Sequence, residues 1–214
     1  MWRADTSEAN SVRGGAGDDQ LFGGGGDDGL QGGSGNDTIQ GGDGDDVVRG
    51  DGWAVSAGDD YLQGNAGDDV LYGQGGNDRI VGGTGNDTLV GGLGGDFLAG
   101  SEGADIFQYT AVEESQNILI NGVSQLDQIS DFTQGQDKID LSLIDANPNL
   151  AGDQAFTFIA DPAHYTGSWT GVVWQTTAAN GIVTINVSID GDATPEMQIY
   201  MSHPYQLTAS DFIL

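Results

Sequence analysis

One apolar side chain returns at a fixed interval through the first half of the chain: Leu21, Leu30, Ile39 and Val48, then Leu62, Leu71, Ile80, Leu89, Leu98 and Phe107. Every step is nine residues except the fourteen from Val48 to Leu62. The stretches between are mostly glycine and polar. A period of nine fits neither an amphipathic helix nor a simple alternating strand. It is the pattern of a repeat in which each unit lends one side chain to a shared core. When the apolar residue is placed eighth, two more columns appear. The sixth position is always Asp: Asp19, Asp28, Asp37, Asp46, Asp60, Asp69, Asp78, Asp87, Asp96 and Asp105. The fourth is always glycine: Gly17, Gly26, Gly35, Gly44, Gly58, Gly67, Gly76, Gly85, Gly94 and Gly103.

Positions one to six carry too much glycine for a helix or strand, because its backbone entropy opposes both. They are predicted as turns with positive φ whose carbonyls converge. Positions seven to nine are predicted as a short strand, with the eighth side chain inward and its neighbours outward. Two nine-residue phrases then make one coil of a right-handed parallel β-roll, a solenoid with eighteen residues per coil. After Phe107 glycine thins. "AFTFIA", "GVVWQ", "GIVTINVSI" and "MQIYM" read as strands joined by Gly, Asn and Pro turns. They predict an antiparallel β cap over an otherwise open solenoid end. The fold class is therefore all-β. Residues 1–13 are expected to be a tail or linker, 14–108 the roll and 109–214 the cap.

Charge decides what holds the roll together. The chain has 33 Asp and Glu against 5 Lys and Arg, a formal net charge of −28. Such a chain is not expected to bind nucleic acid, whose phosphates need basic partners, or an anionic membrane surface. It has no Cys, hence no thiolate site or disulfide. No apolar run approaches the ~20 residues of a membrane-spanning helix. The start, "MWRADTSEAN", lacks the basic and apolar regions of a cleaved signal peptide. One buried aliphatic per phrase contributes roughly 1.5–3 kcal/mol, well below the roughly 1–2 kcal/mol that ordering each of its nine backbone units costs. Stacked coils also bring sixth-position carboxylates to about 5 Å, a repulsion of roughly 3 kcal/mol per pair at an effective dielectric near 20. The segment is thus expected to be disordered alone and to fold around cations. Carbonyls and carboxylates make a hard, oxygen-only site that suits Ca²⁺ better than Mg²⁺, which keeps its water.

The phrase GGxGxDxUx, with U a large aliphatic, resembles the RTX calcium-binding β-roll over Gly14 to Gln108. The resemblance implies a calcium-stacked solenoid with Ca²⁺ between loops one coil apart. The earlier loop would supply the carbonyls of positions two and four, the later loop those of one and three, and both their Asp. Gly15, Gly17 and Asp19 would face Gly32, Ser34 and Asp37; Gly24, Gly26 and Asp28 would face Gly41, Asp43 and Asp46. Gly33, Gly35 and Asp37 would meet Asp60 of the interrupted copy, and Gly42, Gly44 and Asp46 would face Gly64, Ala66 and Asp69. The rule continues with Gly58 and Asp60 facing Gly73, Gly75 and Asp78, then Asn65, Gly67 and Asp69 facing Gly82, Thr84 and Asp87. Gln74, Gly76 and Asp78 would face Gly91, Leu93 and Asp96, and Gly83, Gly85 and Asp87 would face Gly100, Glu102 and Asp105. Ten loops would give at most eight sites. Asn65, Gln74 and Ser101 replace the second glycine, and their carbonyls serve if the backbone angles are kept. Five extra residues in Gly50 to Gly64 put the flanking sites in doubt, with Trp53 expected on a bulge.

"DQISDFTQGQDKIDLS", Asp127 to Ser142, and the ending "LTASDFIL" are similar to the segment after the roll in serralysin-type metalloproteases and other type I-secreted proteins. This implies an extracellular bacterial protein, partnered by a type I secretion apparatus through its C-terminus. The chain would be the tail of a larger secreted enzyme or a small relative without the catalytic part. Glu113, Glu114, Asp127 and Asp131 are expected in solvated or structural roles, and "DGDATPE" as a turn. His164 and His203 form no HExxH motif, no nucleophile–base pairing presents itself, and the chain is expected to be a monomer without catalytic activity. A carbohydrate-binding module is the alternative, with Trp169 and Trp174 stacking on neutral sugar. The scattered Arg13, Arg49 and Arg79 argue against an anionic polysaccharide.

Overall fold

The computed structural model describes residues 2–3, 7–52, 57–120 and 123–214; Trp53, the expected bulge, lies outside them. The roll contains β1 (Trp2–Arg3), β2 (Ser11–Ala16), β3 (Gln20–Gly25), β4 (Gly29–Ser34), β5 (Thr38–Asp43), β6 (Val47–Asp51), β7 (Tyr61–Ala66), β8 (Val70–Gly75), β9 (Arg79–Thr84), β10 (Thr88–Leu93), β11 (Phe97–Glu102) and β12 (Ile106–Gln108). The C-terminal half adds β13 (Gln116–Ile120), β14 (Val123–Gln125), β15 (Asp127–Ile129), β16 (Lys138–Asp140), β17 (Thr157–Ile159), β18 (Val172–Thr177), β19 (Val183–Ser188), β20 (Met197–Met201) and β21 (Phe212–Ile213). Odd and even strands of the roll segregate into two parallel sheets, as two phrases per coil require. The first sheet runs β1-β3-β5-β7-β9-β11-β15-β20-β19-β18-β17 and the second β2-β4-β6-β8-β10-β12-β16-β21.

Register follows the apolar column. Leu21 pairs with Ile39, Ile39 with Leu62, Leu62 with Ile80 and Ile80 with Leu98 in one sheet. Leu30, Val48, Leu71, Leu89 and Phe107 stack the same way in the other. Each of these side chains is almost fully buried between the sheets, where it contacts neighbours above, below and opposite. Deleting one would open a cavity costing roughly 2–5 kcal/mol.

Strand length departs from expectation. The full-length strands cover positions seven through three of the next phrase, so half of the predicted turn is strand. Like residues of adjacent coils pair even where φ is positive, as at Gly15 with Gly33. Ladder hydrogen bonds between identical backbone shapes offset the glycine entropy that a lone strand could not. The expected tail 1–13 also enters the roll before Gly14. Strand β2 starts at Ser11, and the Asn10 N–H donates to Asp28 at 2.7 Å.

The C-terminal half continues both sheets. Ile129 pairs in parallel with Leu98 and Met201 with Ile129, while Ile139 stacks on Phe107 and Phe212 on Ile139. β18, β19 and β20 form an antiparallel part of the cap, and β13 and β14 pair antiparallel in a separate two-stranded sheet. Phe212 closes the second sheet, and its ring stacks on Phe158 with centroids 5.3 Å apart.

Candidate metal sites

The sixth-position Asp residues form two columns along the roll, one per sheet. In each column the backbone N–H of one Asp donates to Oδ1 of the Asp one coil later. Asp19 donates to Asp37, Asp37 to Asp60, Asp60 to Asp78 and Asp78 to Asp96 at 2.7–2.8 Å. Asp28, Asp46, Asp69, Asp87 and Asp105 repeat the chain in the other column. One carboxylate oxygen is thereby satisfied. The other, Oδ2, is buried without a hydrogen-bond partner in Asp28, Asp37, Asp46, Asp60, Asp69, Asp78, Asp87, Asp96 and Asp105. A buried anionic oxygen with no donor is costly, and the roll repeats that cost along its length.

The glycines show what else faces these oxygens. A Cβ placed on Gly32, at position one, would strike its own phrase's Asp37 Oδ2 and the Gly50 carbonyl of the next coil. Gly23, Gly41, Gly64, Gly73 and Gly82 repeat this pairing of Asp Oδ2 with a later position-one carbonyl. The position-two and position-four carbonyls point at the next coil as well, Gly15 toward Gly33 and Gly67 toward Gly85. Asn65, Gln74 and Ser101 adopt φ of 84°, 80° and 77°, so replacing glycine keeps the turn, and the Asn65 and Gln74 carbonyls still point at Gly83 and Gly92. Position-three carbonyls are already engaged: Ser34, Ala66, Gly75, Thr84, Leu93 and Glu102 accept position-four N–H groups at 2.7–3.0 Å. Each keeps a second lone pair. The gaps between coils thus gather carboxylate and carbonyl oxygens with lone pairs to spare, a ligand set that fits a hard cation such as Ca²⁺.

Burial is the largest cause that raises the carboxyl pKa of Asp37, Asp46, Asp60, Asp69, Asp78, Asp87, Asp96 and Asp105. Asp60 and Asp78 reach about 8, Asp69, Asp87 and Asp96 about 7, and Asp46 and Asp105 about 6, from an ordinary 3.8. Neighbouring Asp charges of the same columns add to the rise. A buried anionic cluster is neutralised either by protons or by a bound cation.

Two further carboxylates extend the columns past the repeats. The Asp96 N–H donates to Asp127 at 2.9 Å and the Asp105 N–H to Asp137 at 3.0 Å. Asp137 Oδ2 also accepts the Thr133 N–H at 2.6 Å, so its column ends satisfied by a backbone donor. Asp127 is fully buried, and its carboxylate faces the buried Tyr109 hydroxyl. Buried Glu114 and Tyr109 lie near it. Burial first, then the Asp96 charge, pushes the Asp127 carboxyl well above the usual range. Glu114 and Asp127 are therefore not solvated; Glu114 accepts the Thr110 N–H at 2.8 Å and Asp131 the Gly100 and Ser101 N–H groups at 3.0 Å, both structural roles. Beyond Asp127 the column position passes to Ile199, which pairs with it and offers no oxygen.

A second, outer ladder runs through position five. Asp18, Asp27, Asn36, Asp45, Asp59, Asp68, Asn77 and Asn86 each accept the position-five N–H of the next coil through Oδ1. These residues are exposed, Asn77 partly, and hold coil spacing. The "DGDATPE" segment is the loop between β19 and β20. Asp190, Asp192 and Glu196 each bring an oxygen within 4.8 Å of the others, and each accepts a loop N–H. Trp174 is buried edge-on against Trp169, with centroids 4.8 Å apart, which removes it as a stacking platform. His164 makes an exposed pair with Asp161.

The family of the RTX calcium-binding nonapeptide repeat matches in four copies, over residues 5–31, 30–52, 55–89 and 81–108. No curated protein matches the chain. Among solved structures, the AlgE6R3 subunit of the Azotobacter vinelandii mannuronan C5-epimerase is similar at 22% identity and a TM-score of 0.38, covering 94% of this chain and 80% of that one. The AlgE6R2 subunit of the same epimerase aligns at 26% identity and a TM-score of 0.33, over 79% of this chain and 88% of that one. The extracellular lipase LipA from Serratia marcescens aligns at 17% identity and a TM-score of 0.41, over 91% of this chain and 40% of that one.

Proposed function

Since residues 5–52 and 55–108 match the RTX calcium-binding repeat family, we propose that this chain is a calcium-triggered folding module of a protein exported by a bacterial type I system. The carrying observation is the double column of buried Asp Oδ2 atoms without donors. Gly15, Gly17, Gly32 and their counterparts would add carbonyls to Asp19, Asp37 and the rest. Calcium bound there would neutralise the columns and join each coil to the next. The protein's own part is to present the oxygens: Oδ1 bonds fix the carboxylates, the apolar column fixes the coils, and glycine at position one leaves room.

Export follows from the same physics. A chain that is −28 and lacks calcium repels itself. It would stay unfolded where calcium is scarce, thread a narrow channel, and fold outside where millimolar calcium fills weak sites. Phe212 and Ile213 complete the second sheet, and the acidic-then-apolar ending would serve as export address before folding. Any catalytic activity would belong to the remainder of a longer protein. Carbohydrate binding has less support, because Trp174 is buried and Arg49 and Arg79 lie over Tyr72 and Phe97. Calorimetric titration with Ca²⁺ and with Mg²⁺ tests the reading. Several calcium ions should bind with proton release and magnesium should not substitute; equal response to both metals, or none, would overturn it.

A further inference from the structure

Strand register gathers two cations that lie scattered in the sequence. Arg13 pairs with Gln31 and Gln31 with Arg49 across β2, β4 and β6, and Tyr72 of β8 follows in the same row. These are ninth-position residues, which face outward from the second sheet. Two strand spacings, about 10 Å, separate the two arginine backbones. The seventh-position row beside them reads Ser11, Gly29, Val47 and Val70. Gly29 leaves a dent in it: a Cβ there would meet nothing closer than the Asn10 carbonyl at 3.8 Å. Ser11, Arg13, Gly29, Gln31 and Arg49 line a cleft of about 260 Å³ at this place.

The cleft is a positive spot on a chain with 33 acidic residues against 5 basic ones. Neither row holds a carboxylate on these four strands, and among the described residues neither arginine makes an ion pair. The other described cations are placed differently. Lys138 donates to the Ser210 carbonyl, and Arg79 stands on the opposite sheet with its guanidinium 4.3 Å from the Phe97 ring centre. Arg49 is steadied by Tyr72, whose ring centre lies 5.0 Å from its guanidinium. A guanidinium stacked on a ring keeps its in-plane N–H groups for other acceptors. Gln31 is fixed too, because its amide donates to the Asp51 carbonyl at 3.1 Å.

We propose that this cleft binds a tetrahedral oxyanion, a sulfate or phosphate group, gripped from two sides by Arg13 and Arg49. A carboxylate is planar and is filled by one guanidinium fork. A sulfate or phosphate group points several oxygens in different directions and accepts two forks at once. The Ser11 hydroxyl adds a donor at the rim. No residue of the cleft belongs to the Asp columns, which run through the turns. Calcium bound in those columns would weaken the surrounding negative field and so favour the anion.

The test uses the full chain in millimolar Ca²⁺, with chloride as the balancing salt, and follows the arginine Nε–H resonances. The probes are inorganic sulfate, methyl sulfate and acetate. Sulfate should shift the Arg13 and Arg49 resonances together and saturably, and leave Arg79 in place. Acetate should bind several times more weakly than methyl sulfate, which carries the same charge. Methyl sulfate binding as tightly as sulfate assigns the cleft to an ester group, and weaker binding assigns it to the free dianion. Gly29→Val gives this position the residue type of Val47 and Val70. It should abolish the shifts while the calcium midpoint of folding stays within about twofold. Arg13→Lys keeps the charge, removes the fork and should weaken sulfate roughly tenfold or more; it decides the matter if Gly29→Val does not reach the parent's β spectrum. Equal shifts at every arginine, acetate binding as well as methyl sulfate, or undiminished sulfate binding in either variant would overturn the proposal. So would the absence of any shift in a chain whose β spectrum responds to calcium.

Discussion

Asp60 and Asp78 lie one coil apart, and the Asp60 backbone N–H donates to Asp78 Oδ1 at 2.8 Å while Oδ2 of each stays buried without a partner. The bond holds two like charges next to each other. A hydrogen bond that enforces repulsion makes sense only if something neutralises both groups, and the relation repeats along both columns.

Position in the column sets the cost of losing an Asp. Asp78 accepts from Asp60 and donates to Asp96, so it borders two gaps; half-buried Asp19 donates to Asp37 and borders one. Asp78→Ala should raise the calcium midpoint of folding on the order of tenfold, about 1.4 kcal/mol, and Asp19→Ala several times less. Titrations of the two variants followed by circular dichroism check this, and equal midpoints would contradict shared ligands.

Two glycines separate space from backbone freedom. Gly32 faces Asp37 Oδ2 and the Gly50 carbonyl, whereas nothing lies within 4 Å of a Cβ on Gly15, which has φ of 117°. Gly15→Ala should cost only backbone strain, about 1–2 kcal/mol. Gly32→Ala should fill the acceptor cleft and remove one calcium ion from the stoichiometry. Calorimetry finding the full complement of ions in Gly32→Ala would show that the cleft is not where cations sit.

Much of this was legible from three columns in the sequence. Leu21 through Phe107 read as core and are core; Asn65 and Gln74 read as tolerable and keep the turn. The position-five ladder was missed, though the same alignment displays it as Asp18, Asp27, Asn36 and their successors. Asp127 and Asp137 were harder to find. They follow their column neighbours by 31 and 32 residues instead of eighteen, and the run of glycines before them is thinned, though Gly135 keeps the fourth position before Asp137 with φ of 85°. The short Asp-x-Ile cores, Asp127 to Ile129 and Asp137 to Ile139, and Gly135 before the second mark the register.

Protons should compete with calcium. Asp60 and Asp78 rise to about 8 when folded, and Asp69, Asp87 and Asp96 to about 7, chiefly through burial, against an ordinary 3.8. A folded-state value above the unfolded one means that folding takes up protons. The calcium-free roll is therefore least stable above about pH 8, gains stability as pH falls, and gains no more below about pH 4, where both states are protonated. In chelator, the β signal should be larger at pH 5 than at pH 9, and the calcium midpoint should rise as pH falls. A larger chelator signal at pH 9 would contradict the direction of these shifts.

The central claim is that the roll does not hold together without a cation. Small-angle scattering with circular dichroism on the full chain at pH 8, in excess chelator and in millimolar calcium, tests it most directly. The chain should be expanded and poor in β-structure in chelator, then compact with a cooperative gain of β signal in calcium. A compact particle with an unchanged β spectrum in excess chelator would contradict it.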